Sequence, residues 1–214
     1  AIERCAEEKG LNRERPRLRP ITDGICDEHA YFSSHPKIMF ILKEPYDEYT
    51  SGWRPKGGGW SMTKDYMNHP EEILKGIYPT TYYVAKTAQA ILERDFTRSR
   101  FTETKKTDAE TYGILRYIAY INLSKMPADT LTGKDSTFRE KYMDWKDIVH
   151  AQIKTCNSDM IVCGGTFSLL KEHEPLFNPE RIEEAASYNN GSIPAYTWTY
   201  YGKERLVIDS YHPS

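Results

Sequence analysis

The sequence predicts an α/β fold: a three-layer α/β/α domain around a central, mainly parallel four-stranded sheet. Three observations carry this expectation. Four short apolar runs, Ile38–Leu42, Tyr117–Ile121, Met160–Cys163 and Arg205–Asp209, have the length and composition of strands buried on both faces. Segments of helical periodicity separate them, the longest from Ser136 to Thr155. Polar residues follow three of the runs: Glu44, Asn122 and His212. In an open parallel sheet, ligands bind just beyond the carboxyl ends of the strands, so these three side chains mark a candidate site at one rim. At 214 residues the chain suffices for one domain, 1–214, with an N-terminal helix and arm (1–36) packed on or beside it.

In chain order, Ile2 to Lys9 form a short helix that stops at Gly10. Arg13, Arg15, Arg17 and Arg19 then alternate around Pro16 and Pro20, which forbid a helix and favour an extended arm. That arm is either a phosphate-contacting strap or a solvated surface segment, the second being the default. The first strand, Lys37 to Leu42, leads through Glu44-Pro45-Tyr46 into a long polar stretch, Asp47 to Thr63. It contains Gly57-Gly58-Gly59-Trp60-Ser61, where three glycines let the backbone approach a ligand closely.

A helix follows from Thr80 to about Phe96, with Tyr83, Val84, Ala88, Ile91 and Leu92 on its apolar face. The charged segment Thr97 to Asp108 reads as exposed, and a brief helix, Ala109 to Arg116, precedes the second strand. Phe138, Tyr142, Trp145, Val149 and Ile153 recur every three or four residues and define the helix before the third strand. Gly164-Gly165-Thr166 turn that strand into a helix, Phe167 to Lys171. Ala195 to Tyr201 alternates, Gly202-Lys203 turns, and the fourth strand completes a hairpin that makes the sheet mixed at one edge.

Composition narrows the function. A net charge of -2 and a pI near 6.4 provide no overall basic field, so any nucleic-acid contact rests on a local patch. Cys5, Cys26, Cys156 and Cys163 lack the spacing of a zinc site or iron-sulfur cluster and read as free thiols in a reducing cytoplasm. No apolar run approaches the roughly 20 residues of a membrane-spanning helix. The expectation is a monomer without metal or other cofactor.

The motifs carry a resemblance. Leu42-Lys43-Glu44-Pro45-Tyr46 after the first strand and His212-Pro213-Ser214 after the last resemble the two signature motifs of the uracil-DNA glycosylase superfamily. Gly57-Gly58-Gly59-Trp60-Ser61 and Ile121-Asn122-Leu123-Ser124-Lys125 are similar to its intervening motifs, in the same order over residues 37 to 214. The chain is identified as a divergent member without an iron-sulfur cluster. The resemblance implies hydrolysis of the N-glycosidic bond of a flipped-out uracil or related damaged base in DNA. Glu44 and His212 are the implied catalytic pair. The carboxylate stabilises an oxocarbenium-like sugar and aims a water, while the histidine donates a hydrogen bond to the departing base. Asn122 pairs with the uracil edge, Trp60 stacks on the ring, and Tyr46 excludes a thymine methyl group; Pro45 and Ser214 complete the substrate-binding motifs.

Three departures stand out: glutamate replaces the usual aspartate, Leu42 replaces a glycine, and the sequence ends at Ser214, where the family continues into a DNA-wedging loop. Two other readings keep the fold, a non-catalytic nucleotide- or nucleic-acid-binding protein and a hydrolase of free nucleosides.

Overall fold

A computed structural model describes residues 1–11, 18–45, 57–74, 79–96, 109–128, 135–173, 182–188, 193–200 and 202–211. The chain order is α1 (Ile2–Lys9), β1 (Gly24–Ile25), α2 (Glu28–Ser33), β2 (Ile38–Leu42), a π-helical turn (Met62–Met67), α3 (Pro70–Ile73), α4 (Pro79–Glu93) and α5 (Ala109–Gly113). A 3-10 turn (Ile114–Tyr117), β3 (Ile118–Asn122), α6 (Asp135–Cys156), β4 (Met160–Gly164), α7 (Phe167–His173), β5 (Ile182–Tyr188), β6 (Ile193–Tyr200) and β7 (Lys203–Ser210) follow.

The sheet is mixed and has seven strands in the order β1-β3-β2-β4-β7-β6-β5, not the four expected. The four predicted strands are its centre: β3, β2, β4 and β7 are contiguous and parallel. Antiparallel strands extend both edges, β1 beside β3, and β6 with β5 beyond β7. The missed strands have ordinary physical reasons. β1 is two residues long, too short for any periodicity. β5 reads Ile-Glu-Glu-Ala-Ala-Ser-Tyr, poor in β-branched residues, and pairing with β6 overrides that weak preference. It is an exposed edge, and Glu183 and Glu184 there discourage pairing with another chain.

Alternation along the central strands sorts the core into two clusters. Met39, Ile41, Ala119 and Ile121 pack with Phe138, Tyr142, Trp145, Val149 and Ile153 of α6. Ile38, Phe40, Leu42, Ile118 and Tyr120 face the other way, against Tyr82, Val84, Ala85, Ala88 and Ile91 of α4. Both helices thus bury the stripe that their spacing predicted, with one change: Tyr82 is buried, while Tyr83 is 45% exposed. Ala6 of α1 joins the α6-side cluster, and Gly10 closes α1 in the left-handed conformation.

Arg19 at the end of the N-terminal arm is exposed, whereas Pro20 and the residues that follow it turn inward. Ile21 is fully buried in the α4-side cluster, and residues 18–23 run between two other segments. Arg19 N–H donates to the Gly57 carbonyl (2.8 Å), Gly59 N–H to Pro20 (3.2 Å) and Ile21 N–H to Lys125 (2.8 Å). Gly58, at φ +83°, could not carry a side chain, because a Cβ would stand 1.9 Å from the Arg19 carbonyl oxygen. The described part of the glycine run therefore serves close approach to the chain's own arm. Arg13, Arg15, Pro16 and Arg17 lie outside the described residues.

Candidate functional site

Because β3, β2, β4 and β7 are parallel, their carboxyl ends share one rim. Leu42 pairs with Asn122, and Gly164 with Ser210. Past the strand ends the main chain stays paired: Leu123 N–H donates to Leu42 (2.8 Å), Ser124 N–H to Lys43 (2.9 Å) and Ala128 N–H to Pro45 (2.9 Å). Pro45 is buried and acts here as a backbone anchor for the segment after β3.

Asn122 ends β3 at 1% exposure, on the face that its alternation with Ile118 and Tyr120 dictates, the α4 side. Among the described residues neither its Oδ1 nor its Nδ2 has a hydrogen-bond partner. Ser124, fully buried two positions later, has an Oγ in the same condition. Buried polar groups are normally paired, and each one left unmade costs about 1–3 kcal/mol. Asn122 and Ser124 therefore make the rim after β3 a candidate polar site.

Trp60 belongs to the same face: it is 5% exposed in the cluster containing Leu42 and Tyr120, edge-to-face with Tyr66 at 6.1 Å. Asn122 and Trp60 therefore share one layer. Glu44 leaves the same rim but is engaged from the opposite layer, where its carboxylate pairs with Lys141 of α6 at 2.8 Å. Its side chain is only 13% exposed. On the α4 side a cleft opens between Leu42, Gly164, Ser210 and Tyr211 of the strand ends and Tyr83 and Thr87 of α4. Tyr211 immediately precedes His212 in the chain. His212, Ser214 and Tyr46 lie outside the described residues.

Sequence reasoning passed over the most polar part of the interior. Lys125 and Asp23, both with fully buried side chains, form an ion pair at 2.8 and 2.9 Å. Asp23 also accepts from the Asn122 N–H (2.7 Å) and from Gln152 Nε2 (2.8 Å), while Lys125 donates to the Asn122 carbonyl (2.5 Å). Burial pushes the Lys125 ammonium below its ordinary pKa, and the facing Asp23 carboxylate works against that. Asp23, within Thr-Asp-Gly, looks like a turn residue, and Gln152 like a helix surface residue; only Lys125, in the apolar run Ile-Asn-Leu-Ser-Lys-Met, hinted at burial.

Asp209, near the end of β7, is a second overlooked carboxylate. Desolvation holds its pKa above the usual carboxylate range. An acid whose pKa rises on folding costs stability where it is ionised. That cost is absent below the unfolded value and fully present above the folded one. Asp209→Asn is therefore expected to raise the melting temperature at about pH 7 and to leave it unchanged at about pH 3. Equal shifts at both pH values would count against a charge effect.

Among the described residues no group of three or more His, Cys, Asp or Glu side chains is placed to hold a metal ion. All four cysteines are free thiols, three of them buried. No helix among the described residues is long and apolar enough to cross a membrane. Comparison with models of known protein families gives no match, and neither does comparison with curated protein sequences.

Proposed function

We propose that this chain is a glycosylase-like hydrolase that cleaves the N-glycosidic bond of a flipped-out uracil or related damaged base in DNA. The observation that carries this reading is the Asn122 amide, buried at the rim with donor and acceptor both unpaired among the described residues. A uracil edge presents a carbonyl acceptor and an N–H donor side by side, so one amide satisfies both and is satisfied in return. Cytosine presents the reversed donor and acceptor pattern, which an amide held in the uracil-reading orientation does not meet. The contiguous parallel block, with Glu44 and Asn122 at its carboxyl ends, supports the glycosylase-like form of the fold. Trp60 is the aromatic partner of the ring on the same face, Glu44 the carboxylate under the sugar, and His212 the donor to the leaving base. Tyr46 retains its role as the group excluding a 5-methyl substituent.

Asn122→Leu tests this reading because activity and stability move in opposite directions. Replacing the orphaned amide by an apolar group of similar size is expected to stabilise the fold by about 1–3 kcal/mol in urea denaturation. The same change is expected to lower uracil excision from single- and double-stranded oligonucleotides by about 100-fold or more. If the variant is less stable than the parent and equally active, Asn122 is a structural residue and the reading fails.

One observation favours a second reading, a non-catalytic nucleic-acid-binding protein of the same fold. The Glu44 carboxylate is already engaged by Lys141. Under that reading the parent binds uracil-containing DNA, releases no base, and Glu44→Gln changes neither property.

A further inference from the structure

We infer that Asp23, Lys125 and Gln152 are positioning residues for Asn122, a charged clamp that fixes the main chain from which its side-chain amide projects; the inference rests on the reading of Asn122 as the base-contacting group. The geometry begins with the ladder between β1 and β3. Gly24 pairs with Tyr120 in antiparallel register, so the next main-chain partner due at Asn122 would come from Thr22. Side chains take its place. The Asp23 carboxylate accepts the Asn122 N–H at 2.7 Å, and the Lys125 ammonium donates to the Asn122 carbonyl at 2.5 Å. On the other flank, Leu123 N–H is held by the Leu42 carbonyl at 2.8 Å.

The clamp is itself braced. Lys125 and Asp23 neutralise each other, and Gln152 Nε2 donates to both the carboxylate (2.8 Å) and the main-chain carbonyl (3.1 Å) of Asp23, tying the pair to α6. Stability alone does not explain this expenditure. Well-packed apolar residues commonly replace a buried ion pair without loss, because each charge surrenders its hydration on burial. Here both charges direct a hydrogen bond to the backbone of the one residue whose side-chain amide has no partner among the described residues. An amide meant to meet a donor and an acceptor at once gains from a fixed backbone, since a misplacement of about 1 Å can cost 100-fold in rate. The segment that follows the N-terminal arm thereby becomes part of the site through Asp23, from behind the residue that reads the base.

The test is the double variant Asp23→Asn/Lys125→Met in the full chain. It leaves no buried charge unpaired, keeps side-chain volume and removes the donor to the Asn122 carbonyl. Two readouts are taken: steady-state kinetics on a uracil-containing oligonucleotide, and native-state hydrogen exchange at the Asn122 and Tyr120 amides. The expected result is a kcat lower by about 10- to 100-fold with KM little changed. Exchange at Asn122 is expected to rise at least about 10-fold while Tyr120 keeps its protection. Parental kcat overturns the inference, and so does parental exchange at Asn122. A parent that releases no uracil defeats the glycosylase reading instead, and the exchange comparison then decides the clamp alone. Should the double variant fail to fold, Gln152→Met, which removes only the tether to α6, is read by the same criteria with a kcat loss of about 3- to 10-fold.

Discussion

Replacing Glu44 by glutamine is expected to lower base excision by about 100- to 1,000-fold while the protein stays folded. The effect is electrostatic. Glycosidic cleavage develops positive charge on the sugar, and a fixed carboxylate beside it stabilises the transition state more than the ground state. Glutamine keeps the size and one carbonyl oxygen but removes the charge. The structural penalty is small because the lost ion pair is to Lys141, whose side chain is 42% exposed, and such pairs are worth only about 1 kcal/mol or less. The decisive measurement is single-turnover release of uracil, followed by alkaline cleavage of the abasic strand, alongside a urea melt of the same preparation. An active parent with an equally active Glu44→Gln variant would remove Glu44 from the mechanism. A large fall in activity that tracks a large fall in stability would assign Glu44 a structural role.

The second large effect concerns stability. Lys125→Met alone is expected to destabilise the protein by about 3–5 kcal/mol, a loss comparable with the whole stability of a marginal domain of about 5–15 kcal/mol. Methionine fills the space of the lysine stem, so packing is nearly conserved. What is lost is the cation at 2.8 Å from a carboxylate that has no access to solvent. Asp23 would keep the Asn122 and Gln152 N–H donors, which soften the penalty without neutralising the charge. Adding Asp23→Asn to Lys125→Met is expected to recover most of the loss, since it removes the stranded charge itself. Equilibrium urea denaturation of the two variants measures both quantities; a single variant within about 1 kcal/mol of the parent would show that the pair is not the desolvated unit its geometry describes.

These predictions divide unevenly between residues legible in the sequence and residues that were not. Glu44 and Asn122 were legible because each follows or ends an apolar run, and in a parallel sheet the ends of such runs converge. Trp60 was legible as an aromatic for stacking, but its burial in the α4-side cluster against Tyr66 was not. The glycines before it were misread for the same reason. Their need for positive φ is a local property, whereas the object they approach, the Arg19–Pro20 segment, lies far off in the chain.

The four parallel strands and the two long amphipathic helices follow from neighbours in the chain, since an apolar run of five residues or a three-four repeat is readable without knowing what it packs against. The clamp around Asn122 is not of that kind. Asp23 and Lys125 are 102 residues apart, and Glu44 and Lys141 are 97 apart. A lysine or an aspartate has no preference for the interior by itself; it becomes stable there only when folding delivers the opposite charge and removes the water together. Folding likewise buries the segment just after the arm, Pro20 to Asp23, against the sheet, because an extended segment beside a sheet is either solvated or paired according to what lies next to it.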